Sequence, residues 1–198
     1  MQTTGTIESE LHLALEVPLN QREARARDLP LDVGRLVVGT RHRGIDRSRA
    51  LEMYARIIHW WRGPDETAYL VPINVFLDQP ALRRLVDNLG LREVRVGEDY
   101  GLACSCEAAL AVALQRLDCE ELAIFFACDD DAARDVLSAV AAYKGPGASH
   151  NAQFLQAKSG RQGFVFYASS HLSIEVLGTL EFVVDRAFNT VMDHARLR

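Results

Sequence analysis

The chain has 198 residues, 48% of them hydrophobic and 25% charged, with a formal net charge of −5. That length can bury a core without disulfides or metals, and that balance excludes wholesale disorder and a general electrostatic attraction for nucleic acid. No apolar run approaches the ~20 residues of a bilayer span. Met1 to Glu10 also lacks the basic head and apolar centre of a signal peptide, so a soluble, cytoplasmic protein is expected.

Leu11 to Leu15 reads as a first strand, followed by a charged loop or short helical turn over Gln21–Asp28. Leu36-Val37-Val38 is a short buried strand. Ser48 is placed to cap a helix in which Leu51, Tyr54, Ala55, Ile58 and Trp61 recur at helical spacing, and Gly63-Pro64 ends it. Ala68–Leu77 is the next strand, where Pro72 removes a ladder donor and so predicts an edge or a bulge. Asp78 and Pro80 open a helix carrying Leu82, Leu85, Val86 and Leu89, closed by Gly90. Val94 and Val96 belong to a further strand and Gly97–Gly101 to a loop. Ser105 starts a helix with Leu110, Ala113, Leu114 and Leu117 inward.

Leu122–Cys128 is apolar throughout, the pattern of a central strand covered on both faces. Asp129–Asp131 cap a helix that runs to Lys144 and stops at Gly145-Pro146-Gly147. Phe154–Ala157, Phe164–Ala168 and Leu172–Leu177 read as short antiparallel strands. A helix from Thr179 is expected to bury Val183, Val184, Ala187, Phe188, Val191 and Ala195. Strand and helix alternate before an antiparallel group, so the expected fold is α/β: a mixed sheet with helices on both faces. Its parts are an N-terminal strand and loop (1–30), a central α/β segment (31–118) and a C-terminal α/β segment (119–198) continuous with the same domain.

Arg41, Arg43, Arg47 and Arg49, with His42 among them, crowd the start of the helix that carries Leu51. A helix N-terminus already holds about half a positive unit, and each nearby cation costs roughly 0.3–1 kcal/mol at a surface. A bound anion offsets that cost, with Gly44 admitting it to the backbone and first-turn N–H groups donating. The other reading is a solvated basic loop paired with Asp32, Asp46 or Glu52. Neither G-x-x-x-x-G-K-[ST] nor G-x-G-x-x-G is present.

Other groups carry a plainer reading beside a chemical one. Cys104-Ser105-Cys106 looks like a metal corner, but Cys119 and Cys128 stand singly, so reduced thiols are expected. Asp129–Asp131 could hold Mg²⁺ or simply cap a helix. Ser149-His150 and Ser170-His171 have no nucleophile elbow and read as polar turns.

Asp32-Val-Gly-Arg35-Leu-Val-Val38 followed by Arg41-x-x-Gly44-x-Asp46 resembles the central segment of the GNAT acyltransferases. In that family a strand leads into Q/R-x-x-G-x-G/A, whose amides hold the pyrophosphate of coenzyme A. The helix Ser48–Arg62, the strand Tyr69–Leu77 and the helix ending Leu85–Leu91 look like the family's next helix, splayed strand and following helix, so the resemblance spans residues 31–97. It is nearest the autoinducer synthase and N-acyl amino acid synthase branch. There an acidic residue stands three before an arginine, as Asp32 does before Arg35, and Leu89-Gly90 is followed by Val94-Arg95-Val96-Gly97. Asp46 departs from the family's Gly or Ala, and Val86 from its frequent tyrosine.

The resemblance implies an N-acyltransferase that takes acyl-coenzyme A, or an acyl-carrier thioester, as cosubstrate and passes the acyl group to an amine. On it, Arg41, Arg43, Gly44, Ile45, Asp46, Arg47 and Ser48 hold the pyrophosphate, and Tyr69–Phe76 runs along the pantetheine arm. Asp32 orients or deprotonates the amine with Arg35 as its partner, and transfer is direct. No tightly bound cofactor, metal or nucleic acid is expected. The alternative is a non-catalytic α/β ligand-sensing or protein-interaction module with a degenerate anion site, whose antiparallel tail and closing helix form a homodimer surface.

Overall fold

The computed structural model describes residues 11–40, 46–143, 150–156, 163–168 and 172–196. In chain order these form β1 (Leu11–Glu16), α1 (Gln21–Ala26), β2 (Gly34–Thr40), α2 (Arg47–Trp61), β3 (Thr67–Val75), α3 (Gln79–Leu89), β4 (Arg92–Val96) and β5 (Asp99–Cys104). They continue as α4 (Glu107–Arg116), β6 (Cys119–Ala127), α5 (Asp130–Ala142), α6 (His150–Gln156), β7 (Gly163–Ala168), β8 (Ser173–Gly178) and α7 (Leu180–Arg196). The architecture is α/β, as expected.

The eight strands make one sheet in the order β1-β2-β8-β7-β6-β3-β5-β4. Every neighbouring pair is antiparallel, which corrects the expected mixed sheet. The reason lies in the difference between direction and adjacency. The units β2-α2-β3, β3-α3-β4 and β5-α4-β6 do return in the same direction. However, β2 and β3 are held apart by β8, β7 and β6, β3 and β4 by β5, and β5 and β6 by β3. Strands from elsewhere in the chain fill those gaps, each running opposite to the strands beside it. From β3 to β6 the chain is an interlocked pair of split β-α-β units. Strands β6 to β8 sit between β2 and β3, so residues 119–198 complete the sheet begun by 31–118.

Two local expectations also change. Phe154 lies in α6 rather than in a strand, because a run that short does not separate a period of 2 from one of 3.6. Gly97-Glu98 is a two-residue hairpin turn with Gly97 at φ 60°, and β5 begins directly after it at Asp99. Pro72 behaves as predicted. β5 pairs with β3 only over Ala68–Leu70, so Pro72 stands where β3 has β6 alone beside it among the described residues. Gly90 closes α3 in the left-handed region, at φ 61°.

Helices cover both faces. Side chains of α2, α3, α4 and α7 share a core with Leu36, Val38, Leu70, Leu102, Ile124 and Val176. On the opposite face α1, α5 and α6 cover an aromatic floor of Tyr69, Phe125, Phe164 and Phe166. Tyr69 stacks on Phe125 at 5.4 Å, and Phe154 of α6 meets Phe164 edge-on at 5.1 Å. Gly163 admits α7 to the end of β7. A Cβ there would lie 2.5 Å from Phe182 Cδ1 and 2.6 Å from the Leu177 carbonyl oxygen, which cannot step aside. Gly163→Ala is therefore expected to cost about 2–3 kcal/mol, read as a lowered urea midpoint at unchanged slope.

The closing helix departs from expectation on one flank. Val183 is buried and Ala187 packs on the core, but Val184 is 45% and Phe188 60% exposed, with Val191 similar. The side chain of Ala195 lies outside the described residues. α7 packs against β2, α2, β8 and β1.

Candidate functional site

Strand alternation gathers a polar cluster on the α1 side of the sheet. In β2, Leu36 and Val38 enter the α2 core, so Arg35 and Val37 face the other way. In β8, Ile174 and Val176 leave Glu175 on that same side, and in β6, Leu122 and Ile124 leave Glu121 there. Register sets Glu175 directly beside Val37 and Glu121 beside Ala168. Together with Arg35, Val37, Phe166, Ala168 and Ser173, these carboxylates line a cavity of about 250 Å³.

Two helices complete the cluster. Arg27, at the end of α1, forks onto Glu175, its two terminal nitrogens donating to the two carboxylate oxygens at 2.8 Å each. Arg35 donates to Glu23 Oε1 at 2.7 Å, brings its Nε to 2.5 Å from Glu175 Oε1, and has Glu16 Oε2 at 3.8 Å. Asn151 of α6 is 7% exposed. Oriented to satisfy its neighbours, its amide nitrogen donates to both Glu121 oxygens at 3.0 and 2.9 Å, while its oxygen accepts from Arg27 at 2.8 Å.

The carboxylates titrate differently. Burial pushes Glu175 up, but the hydrogen bonds and charge of Arg27, reinforced by Arg35, outweigh it and hold Glu175 below its ordinary 4.5. Glu121 goes the other way. Burial and then the negative charge of Glu175 raise it to about 7, against a smaller opposing pull from Arg27. Four carboxylates (Glu16, Glu23, Glu121, Glu175) thus surround two guanidinium groups (Arg27, Arg35). Glu121 is the one left short of counter-charge and poised to hold or release a proton near neutrality.

Among the described residues, Asp32 and Arg35 are not brought together with Asp46, Arg47 and Ser48. Asp32 is exposed and makes no ion pair with Arg35 among the described residues. Arg35 instead pairs with Glu175, Glu23 and Glu16. Arg41, His42, Arg43, Gly44 and Ile45 lie outside the described residues, as do Ser149, Ser170 and His171. Asp46, not Ser48, is the N-cap of α2, and its side chain makes no capping bond. Ser48 falls in the first turn. Arg47 donates to the Tyr167 hydroxyl at 3.4 Å. Arg35 and the start of α2 stand at opposite ends of β2 and on opposite faces of the sheet. The strands at Leu36 and Val71 are not neighbours, since three others separate them.

No family model, curated protein or solved structure matches this chain. The site therefore has to be judged on its chemistry alone. No described helix is long and apolar enough to cross a membrane. Among the described residues no group of three or more His, Cys, Asp or Glu gathers as a metal site. Asp129 caps α5 by accepting from Ala132 N at 2.8 Å. Asp130 accepts from the Tyr69 hydroxyl at 2.9 Å, and Asp131 pairs with Arg134. A larger hollow of about 990 Å³ lies between α3 and the β4–β5 hairpin, but its Arg92 and Arg95 side chains are mostly solvated. The larger hollow holds Tyr100, which burial pushes further from neutrality, whereas the smaller cavity holds the carboxyl raised to about 7, and it is the better candidate.

Glu16, Glu23, Arg27, Glu121, Asn151 and Glu175 are the residues that sequence reasoning missed. One signal was available. Glu175 sits between Ile174 and Val176 and shares a face with apolar Leu177, so it is a charge on an inward face. Such a residue demands a buried partner. Nothing local says which.

Proposed function

We propose that this protein is a small-molecule-binding α/β module whose ligand presents an ammonium or similar cation to the Glu121 cavity. The observation that carries the reading is Glu121, a carboxyl in a lined cavity that burial, and then the negative charge of Glu175, push up to about 7. Phe166 supplies an aromatic wall suited to a cation, and Ser173 a hydroxyl. The volume holds on the order of eight waters at ~30 Å³ each, enough for an amine head group and a short stem. A bound cation drives the proton off Glu121, so affinity rises as pH climbs through 7.

The test is a thermal-shift panel of methylamine, ethanolamine and short diamines against acetate, phosphate and acetyl-, octanoyl- and palmitoyl-coenzyme A. Amines are expected to raise the melting temperature of the wild type and not of Glu121→Gln. A panel in which no amine stabilises, or in which the variant responds equally, removes the reading. One observation favours the acyl-transfer reading: α2 opens with Arg47 and Arg49 in its first turn and no side-chain cap from Asp46. Its mark would be stabilisation by a thioester that Arg47→Ala abolishes.

A further inference from the structure

β1 is one edge of the sheet, and among the described residues no strand pairs with its outer side. Leu-His-Leu-Ala-Leu-Glu carries no proline, lysine or positive-φ residue of the kind that blunts an edge. α7 crosses the adjoining face, in contact with β2 and β1. One flank of α7 looks inward: Trp61 of α2 donates to Thr190 at 3.0 Å, and Arg186 stacks on Phe126. The other flank is an exposed apolar stripe of Leu180, Val184, Phe188, Val191 and Met192. Leu15, on the α7 side of β1, adds a further 48% exposed apolar residue, and Val17 follows it. These seven side chains expose on the order of 600 Å², which approaches the ~800 Å² per partner of a standard interface.

We propose that this surface joins two copies of the chain in a two-fold symmetric dimer, β1 pairing antiparallel with β1 of the second copy. The occupant is a second copy because the strand complements itself. With Ala14 on the axis, Leu13 faces the partner's Leu15 on the α7 side and His12 faces the partner's Glu16 on the other. An axis through Leu13 instead would set His12 against Ala14 and leave Glu16 with no complement. Both copies of α7 then lie on the same side of the joined sheet, ~10–14 Å apart at ~4.8 Å per strand, close to helix-packing distance. The two stripes meet there and leave water together.

Sedimentation of the full chain tests this. The wild type is expected to be dimeric at micromolar concentration, and Phe188→Asp with Val191→Asp to weaken the dimer about 100-fold while keeping the wild-type circular dichroism. Cysteine variants test the register, with Cys106→Ser and Cys128→Ser removing the exposed thiols. Directly opposed Cα atoms ~4.5–5.5 Å apart suit a disulfide, so Ala14→Cys crosslinks to itself under oxidised glutathione. Leu13→Cys, offset from its own copy, does not. A wild type that stays monomeric overturns the proposal. So does a dimer that the α7 pair leaves intact, or one that fails to crosslink at residue 14.

Discussion

Glu121→Gln is expected to raise the melting temperature by about 5 °C at about pH 8 and to leave it unchanged near pH 4.5. The direction follows from proton counting. The native carboxyl titrates near 7 and the unfolded one near 4.5, so between those values the native state binds more protons. Stability therefore falls as pH rises through that window and levels off above it. The loss is on the order of 2 kcal/mol once the partial exposure of the group is allowed for. Glutamine keeps the shape and an acceptor for Asn151 but carries no charge, so its stability–pH curve is flat where the wild type slopes. A wild-type curve without that slope, followed by denaturant titration across the window, would show that Glu121 is ionised at neutral pH and would remove the reason for choosing this cavity.

Glu175→Leu is expected to be the most damaging single change in the cluster, at about 3–5 kcal/mol. The carboxylate satisfies two terminal nitrogens of Arg27 and lies against Nε of Arg35. Removing it leaves two guanidinium groups half-buried with one strong partner fewer. The variant also has a coupled signature. Burial still raises Glu121, but the neighbouring negative charge that adds to it is gone and Arg27 is released toward it, so Glu121 falls below about 7. The slope between about 4.5 and 7 should then shrink, although glutamate 121 itself is untouched. The acid limb should weaken as well. Glu175, held low by its arginines, contributes stability above about 4.5 that is lost as pH falls through its native value. Loss of stability with an unchanged Glu121 slope would mean that the two carboxylates do not share one electrostatic network.

Asp32 and Arg35 show how a one-dimensional reading can find a residue and mistake its role. Arg35 does belong to the candidate site. Its partners, however, are Glu23 twelve positions earlier and Glu175 on the far side of the chain, not the aspartate three before it. In a strand, residues three apart point to opposite faces, so spacing alone argued against that pair. The arginine-rich start of α2 and the Asp129–Asp131 run drew attention because charges adjacent in sequence are easily seen. The structure turns the second of these into a helix cap, a part-buried bond from Tyr69 and a surface ion pair.

The sequence by itself determined most elements, because their causes are local. Helical spacing and terminal signals place α2, α3, α4, α5 and α7, with Asp78 and Asp129 bonding the first-turn amides of their helices and Gly90 closing α3. Unbroken hydrophobicity marks β6 as the covered central strand. Only the tertiary structure decided which strands are neighbours, and with that which charges meet. A strand offers the same ladder of N–H and C=O groups to any partner, so adjacency is chosen by the packing of the whole chain. Arg27 and Glu175, 148 residues apart, become a bidentate pair only because β8 lies beside β2 beneath α1. The same choice that makes the sheet antiparallel throughout brings Glu121, Glu175 and the two arginines to one cavity.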